Sequence, residues 1–299
     1  MIVVGDTLGQ DVAKHLGAEF VMVERREFPD GELCPRIVIE GKEKIFKGKQ
    51  VVFILHMAHG QNPNSYLVEY VLAMDALHYL NVKQVTAVMP YFIYSRQHRK
   101  YLPGQTVSAK AIARALERAG AKNFITVNSH ARSDLPGLFK KSTALDLNAV
   151  PLLAKHVAKK IGNGDFKNAI VVAPDKGAAA MAQKFAEHAG CRQWTAFEKT
   201  RDLKTGEIKM VCADVDFNGR QAVVVDDLVA SGGTMVGAIR ACRHNGASHI
   251  TACFVHPVLC SNALEKLKAA ADAVISTNSI NSSVSEVDLS GLIAQAITK

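Results

Sequence analysis

The chain has 299 residues, 48% of them apolar, and 36 Lys and Arg against 28 Asp and Glu give it a formal charge of +8. No apolar run reaches membrane-span length, and Gly5 and Asp6 interrupt the N-terminal run too early for a secretory leader. The charge suits anionic ligands, whether nucleic acid or small phosphates, and the six cysteines form no CxxC pair, which predicts reduced thiols in a cytoplasmic protein rather than disulfides or a zinc site.

Short β-branched runs predict strands at 51–55, 85–89, 124–127, 170–173, 222–225 and 250–255. Between them, apolar residues spaced three or four apart predict helices. In 66–80 the pattern is carried by Leu67, Val71, Met74 and Leu77; the segments 108–119, 149–161, 178–189, 235–245 and 263–271 read the same way. Strands apolar at consecutive positions and alternating with helices indicate an α/β protein with mainly parallel sheets flanked by helices on both faces. The polar stretch 140–148 divides the chain into halves of similar size, 1–142 and 143–278, with the tail 279–299 expected to complete the first.

The stretch "VVVDDLVASGGT" (223–234) carries the most local chemistry. In open α/β sheets, ligands bind beyond the carboxyl ends of strands, where Asp226 and Asp227 would accept hydrogen bonds from sugar hydroxyls. Ser231, Gly232, Gly233 and Thr234 then lead into a helix expected near Met235, whose first amides favour an anion. An acid followed closely by a phosphate cradle describes a sugar phosphate. The dinucleotide fingerprint has the reverse order, and a P-loop needs a Gly-Lys-Ser/Thr that is missing here. A plain strand–turn–helix joint with solvated aspartates is the competing reading.

This stretch resembles the ribose-phosphate loop shared by phosphoribosyltransferases and the ribose-phosphate pyrophosphokinase (phosphoribosyl pyrophosphate synthetase) family. Other segments resemble the second group, which must also hold ATP. "EFPDGE" (27–32) is similar to a family segment that reaches the adenine of a neighbouring subunit's ATP, which implies that role for Phe28, Asp30, Gly31 and Glu32. By itself Pro-Asp-Gly is an ordinary surface turn. "PYFIYSRQHRK" (90–100) is similar to a family loop whose counterparts of Arg96, Gln97 and His98 contact ATP; His98 stands where the family has Asp. A solvated basic loop is its plain alternative.

"VNSHARSDLPGLF" (127–139) resembles the segment that brings a histidine, here His130, close to magnesium–ATP; Asn128 replaces a family Asp. "VVAPDKGAAA" (171–180) resembles the loop holding pyrophosphate and magnesium, implying a metal role for Asp175, with Ala178 in place of a glycine. Asp175 as a simple helix cap is equally readable from the residues. "EKTRDLKTGEIK" (198–209) reads as a solvated hairpin, and the resemblance aligns Lys199 and Arg201 with the Lys-x-Arg of the family's catalytic loop. In the sugar loop, Asp226, Asp227 and 230–234 would hold ribose 5-phosphate together with Arg201, with Ala230 where the family generally has Asp.

The resemblance runs from Phe28 to "VHPVL" (255–259). It implies two similar phosphoribosyltransferase-like α/β domains, ATP and ribose 5-phosphate as substrates, Mg2+ as cofactor, and a homo-oligomer with a shared adenine site. The implied activity is diphosphoryl transfer from ATP to ribose 5-phosphate, whose product supplies nucleotide, histidine and tryptophan biosynthesis. A phosphoribosyltransferase that uses the activated sugar, and a non-catalytic regulatory relative, remain alternatives. The charge alone suggests nucleic acid, no motif supports it, and neither nucleic acid nor membrane is expected as a partner.

Overall fold

The computed structural model describes residues 1–41, 43–161, 166–201, 208–211 and 215–298; side chains at 43, 199–201 and 208–211 lie outside the description. Its elements begin with β1 (Ile2–Gly5), α1 (Thr7–Leu16), β2 (Glu19–Glu24), β3 (Arg36–Ile37), α2 (Glu43–Phe46), β4 (Gln50–Ile54) and β5 (Met57–Ala58). Next come α3 (Pro63–Asp75), β6 (Gln84–Val88), α4 (Ser108–Arg118), β7 (Ala121–Val127), α5 (Leu135–Leu138), β8 (Thr143–Leu147) and α6 (Val150–Ile161). After these follow β9 (Ile170–Ala173), α7 (Ala179–Ala189), β10 (Gln193–Ala196), β11 (Glu198–Arg201), β12 (Ile208–Val211) and β13 (Gln221–Val229). The chain closes with α8 (Gly233–His244), β14 (His249–Pro257), α9 (Ala263–Ala270), β15 (Ala273–Thr277), β16 (Ile280–Asn281), β17 (Ser285–Val287) and α10 (Ser290–Ile297).

Two compact units result, one of Met1–Leu147 with Leu289–Lys299, the other of Asn148–Asp288. The divisions fall later than the expected 142/143 and 278/279, for a pairing reason. β8 is the edge strand of the first unit's sheet, bonded to β7, while β17 pairs with β15 in the second. The tail that completes the first unit is α10, which packs on α1.

The first sheet has the order β3-β2-β1-β4-β6-β7-β8, parallel except for the β2–β3 pair. The second has the order β10-β9-β13-β14-β15-β17 and is parallel throughout. With β3 set aside and strands ranked by position within each unit, both sheets read 2-1-3-4-5-6. The strand order therefore reverses beside β1 and β4 in one unit and beside β9 and β13 in the other. Such switch points leave a crevice at the carboxyl ends of the strands.

The central strands are apolar at successive positions because helices cover both faces. Ile170, Val171, Val172 and Ala173 are fully buried, as are Val223, Val224 and Val225. Each buried Val or Ile contributes about 1.5–3 kcal/mol relative to exposure. The amphipathic helices match them: α4 buries Ala109, Ile112, Ala113 and Leu116, the three- and four-residue spacing of one helical face. The expected helix 66–80 is α3 followed by a 3-10 turn at Ala76–Leu80 that ends on left-handed Asn81.

Candidate functional site

In the first unit, β6 and β7 are neighbouring parallel strands, and the segments leaving their carboxyl ends carry Arg96, Gln97 and His130. Arg96 and Gln97 sit on a 3-10 turn, Ser95–Gln97, entered through left-handed Tyr94. The Tyr94 hydroxyl donates to Asn64 Oδ1 at the start of α3, and Ser108 Oγ donates to Gln97 Oε1 at 2.6 Å. The result is a cleft of about 700 Å³ lined by Asn64, Tyr94, Arg96, Gln97, Tyr101 and His130, among others. Residues from three separate sequence segments, around Asn64, Arg96 and His130, are thus brought together. His98 is not among the lining residues: its Nδ1 donates to Ser95 O at 2.9 Å, and its ring meets that of His130 edge-on at 6.1 Å between centroids.

The His130 turn is held from behind by a residue that sequence reasoning missed. Asn128, at φ 39°, donates its amide to Leu147 O at 2.9 Å, and the Ser129 amide donates to Asp146 Oδ1 at 2.9 Å. Burial pushes the Asp146 carboxyl up to about 6, against the pull of the Ser129 amide and of Arg132. Arg132 Nε lies 3.3 Å from Asp146 Oδ2 without hydrogen-bond alignment, so that oxygen is buried and unbonded. Within the polar stretch 140–148 nothing local marks this acid out, and only the β7–β8 pairing brings it to Ser129.

Phe28, Asp30, Gly31 and Glu32 form an exposed turn that does not line this cleft. The Phe28 amide donates to Glu32 O at 2.8 Å, and Asp30 Oδ1 accepts from the Glu32 amide at 3.1 Å. The Arg26 guanidinium lies 5.0 Å from the Phe28 ring centroid, a cation–π contact on one ring face.

The first unit's switch point is closed by its own residues, another feature the sequence did not announce. Asp6 caps α1, accepting from the Leu8 and Gly9 amides, and also accepts from the His56 amide at 2.7 Å and its Nδ1 at 2.8 Å. Nearby, burial raises the Glu69 carboxyl, while Arg25 at 3.8 Å and Gln61 at 3.0 Å oppose that rise.

In the second unit, Asp175 follows β9, and Asp226 and Asp227 lie on the adjacent β13, at the switch point. The acids do not stand beyond the strand end as expected. β13 continues to Val229 because the long β14 keeps pairing with it, Asp226 opposite Phe254 and Val229 opposite Pro257. Asp226 Oδ1 accepts the Asp227 amide at 2.8 Å. Burial, then the charges of Asp227 and Asp175, hold the Asp226 carboxyl well above the usual carboxylate range. The three acids therefore share one field. Asp175 also caps the turn Lys176–Ala178, with Oδ1 accepting the Gly177 amide at 3.0 Å. A Cβ on Gly177 would stand 3.1 Å from that oxygen, so the missing side chain lets the carboxylate approach.

Past β13, Ala230 O accepts the Cys260 amide at 2.9 Å, and Gly232 adopts φ 77°, the left-handed region that favours glycine. Helix α8 begins at Gly233, earlier than the expected Met235, because Gly232 O already accepts the Val236 amide at 2.8 Å. Ser231 and Gly233 are exposed and Thr234 half-buried at this helix start. β11 pairs antiparallel with β12, Lys199 opposite Met210 and Arg201 opposite Ile208. The side chains of Lys199 and Arg201 lie outside the described residues. At the foot of β11, Lys176 Nζ lies 3.0 Å from Glu198 Oε1.

Among the described residues, no three or more His, Cys, Asp or Glu side chains converge as a metal cage, and no helix is long and apolar enough to cross a membrane.

Two family models match the chain: the N-terminal domain of ribose phosphate pyrophosphokinase over residues 4–120, and the phosphoribosyl transferase domain over residues 144–289. The ribose-phosphate pyrophosphokinase of Methanothermobacter thermautotrophicus is 36% identical over 97% of this chain and 96% of the relative. That of Methanopyrus kandleri is 34% identical over 98% of this chain and 96% of its own. The crystal structure of phosphoribosylpyrophosphate synthetase from Mycobacterium smegmatis superposes with a TM-score of 0.82 at 26% identity, covering 100% of this chain and 97% of that one. The matches span both α/β units and nearly all of the relatives' length, and the chain belongs to the ribose-phosphate pyrophosphokinase family.

Proposed function

We infer that the protein transfers the β,γ-diphosphoryl group of ATP to the C1 hydroxyl of ribose 5-phosphate, giving phosphoribosyl pyrophosphate and AMP. The observation that carries this reading is the order of groups from β13 into α8: carboxylates at a switch point, a left-handed glycine, then a helix start. Asp226 and Asp227 accept hydrogen bonds from the ribose hydroxyls. The amides and hydroxyls of 231–234 take the 5-phosphate, where the helix dipole favours an anion, and Ala230 shapes the turn.

The cleft of the first unit suits the nucleotide. The Arg96 fork and Gln97 meet phosphate oxygens, with His98 supporting their turn. Phe28, Asp30, Gly31 and Glu32 are exposed and apart from that cleft, which suits an adenine contact made to a neighbouring subunit in a homo-oligomer. The transferred group passes from the α,β-bridging oxygen of ATP to the sugar's C1 oxygen. Lys199 and Arg201 supply positive charge where oxyanion charge develops, the main work left to protein in phosphoryl-type transfer.

The donor set fits Mg2+. This ion keeps several waters and binds through one or two protein groups plus substrate phosphates, so a full protein cage is not needed. Asp175 lies in the field shared with Asp226 and Asp227, whose mutual repulsion a cation would relieve. Asp175 in the second unit and His130 in the first are each proposed as a metal-holding residue. When bound, the ion neutralises phosphate charge and polarises the transferred phosphorus. The described cysteines Cys34, Cys191, Cys242, Cys253 and Cys260 are free thiols, in keeping with a cytoplasmic setting.

The test is incubation with Mg2+, ATP and ribose 5-phosphate, followed by phosphorus NMR. AMP and the doubly phosphorylated sugar should rise together and only when both substrates are present. A protein that instead consumes phosphoribosyl pyrophosphate with a base and ignores ATP is a transferase. One that binds substrates without releasing AMP is a regulatory relative.

A further inference from the structure

The cleft in the first unit is walled by two turns that follow different strands, 95–99 after β6 and 129–134 after β7. Arg96 and Gln97 belong to the first and His130 to the second. Their relative placement depends on what joins the turns.

We propose that Asp134 is a positioning residue that locks these turns together and so sets Arg96 and Gln97 against His130. Asp134 is itself fixed in its turn: its amide donates to Ala131 O at 2.9 Å, and its carbonyl accepts the Gly137 amide at 3.0 Å. Its carboxylate then reaches the other turn through two hydrogen bonds from Arg99, with the His98 ring beside it and able to pair with it only when protonated. Arg99 donates to it through Nε at 3.0 Å and Nη2 at 3.3 Å, and His98 Nε2 lies 3.5 Å away. The fork matters because two parallel charge-assisted bonds fix orientation as well as distance. The other nitrogen of His98 donates to Ser95 O, so the imidazole spans from Asp134 to the residue preceding Arg96. The same ring meets His130 edge-on. Arg99 holds the Asp134 carboxyl below its usual range, so the clamp keeps its charge in mildly acidic solution.

Both Arg99 and Asp134 touch solvent, and an exposed ion pair by itself stabilises a fold very little. Its consequence is local geometry. Small misplacements of positioning groups are costly to a reaction whose catalysis is mostly orientation.

This inference rests on reading the cleft as the nucleotide site, so the experiment measures ATP binding apart from turnover. Asp134→Asn should raise the KM for Mg2+-ATP, and the Kd for ATP by calorimetry, by about 3- to 10-fold, the range of a bidentate arginine–carboxylate contact. The KM for ribose 5-phosphate should stay within about twofold, and the melting temperature should barely move. Asp134→Glu should recover part of the loss. In a double-mutant cycle, Asp134→Asn added to Arg96→Ala should cost far less than it does alone, since the positioned group is gone. Glu40→Gln, which breaks the unrelated exposed Arg36–Glu40 pair at 2.8 Å, is the control and should leave every constant unchanged. Equal ATP binding by Asp134→Asn and the unmodified protein, or fully additive losses with Arg96→Ala, would overturn the proposal while leaving the activity standing. An unmodified protein that binds no ATP would instead sink the reading of the cleft.

Discussion

Lys176 Nζ stands 3.0 Å from Glu198 Oε1, so the residue next to Asp175 is tied to the first residue of the strand bearing Lys199 and Arg201. The pair is exposed at both ends, and its direct contribution to stability is under about 1 kcal/mol. Its expected effect is on β11, the strand proposed to carry the catalytic charges. Glu198→Gln should lower kcat by about 2- to 5-fold with little change in melting temperature, because the strand proposed to carry the catalytic charges loses one anchor. A loss of stability with kcat intact would assign the pair a purely structural part.

Lys199→Ala should reduce kcat for AMP release by about 10²- to 10³-fold, the scale of one charge aimed at a developing oxyanion. Circular dichroism should show an unchanged fold. An unaltered turnover number in a folded variant would remove Lys199 from the mechanism.

Gly232→Ala tests the proposed phosphate cradle. A side chain at φ 77° costs about 1–2 kcal/mol in the left-handed region, although the added Cβ would only touch Ala263 at 3.5 Å. Urea unfolding should report a loss of that size. The KM for ribose 5-phosphate should rise by at least about tenfold as the start of α8 shifts, while the KM for ATP holds. Equal changes in both would mean that the turn serves the fold alone.

Asp146 predicts a pH dependence of stability with a definite sign. Its folded carboxyl titrates near 6, above its unfolded value of about 4, so folding is favoured by the protonated form. That contribution is complete below pH 4 and is lost as pH rises through 6. Asp146→Asn keeps the acceptor for the Ser129 amide and carries no charge. It should match the unmodified protein near pH 4 and exceed it by on the order of 2 kcal/mol above pH 7. Parallel melting curves at all pH values would mean that Arg132 already compensates the buried charge.

The strands at 51–55, 124–127 and 170–173 were legible because a strand covered on both faces is apolar at nearly every position, Thr126 alone excepted with its hydroxyl bonded to Pro90 O. Edge strands were not. β8 alternates exposed Thr143 and Leu145 with half-buried neighbours and so resembled a linker, which moved the expected division into it. The same ambiguity hid Asp146. The carboxylates Asp226 and Asp227 and the glycine pair were readable because backbone chemistry confines such residues to turns and strand ends, yet the length of β14 decided that the acids lie inside the ladder.

By itself, then, the order of residues determined the α/β class, the two-part organisation and every short segment whose chemistry is contiguous, because helix caps, turns and burial patterns act within a few residues. Tertiary structure alone decided which segments meet. Arg96 and His130 share a cleft because β6 and β7 are neighbours, and Asp175 shares a field with Asp226 because β9 lies beside β13. Asp134 and Asp146 act through partners 35 and 17 positions away. Strand order is a property of the packed sheet, and no local pattern carries it.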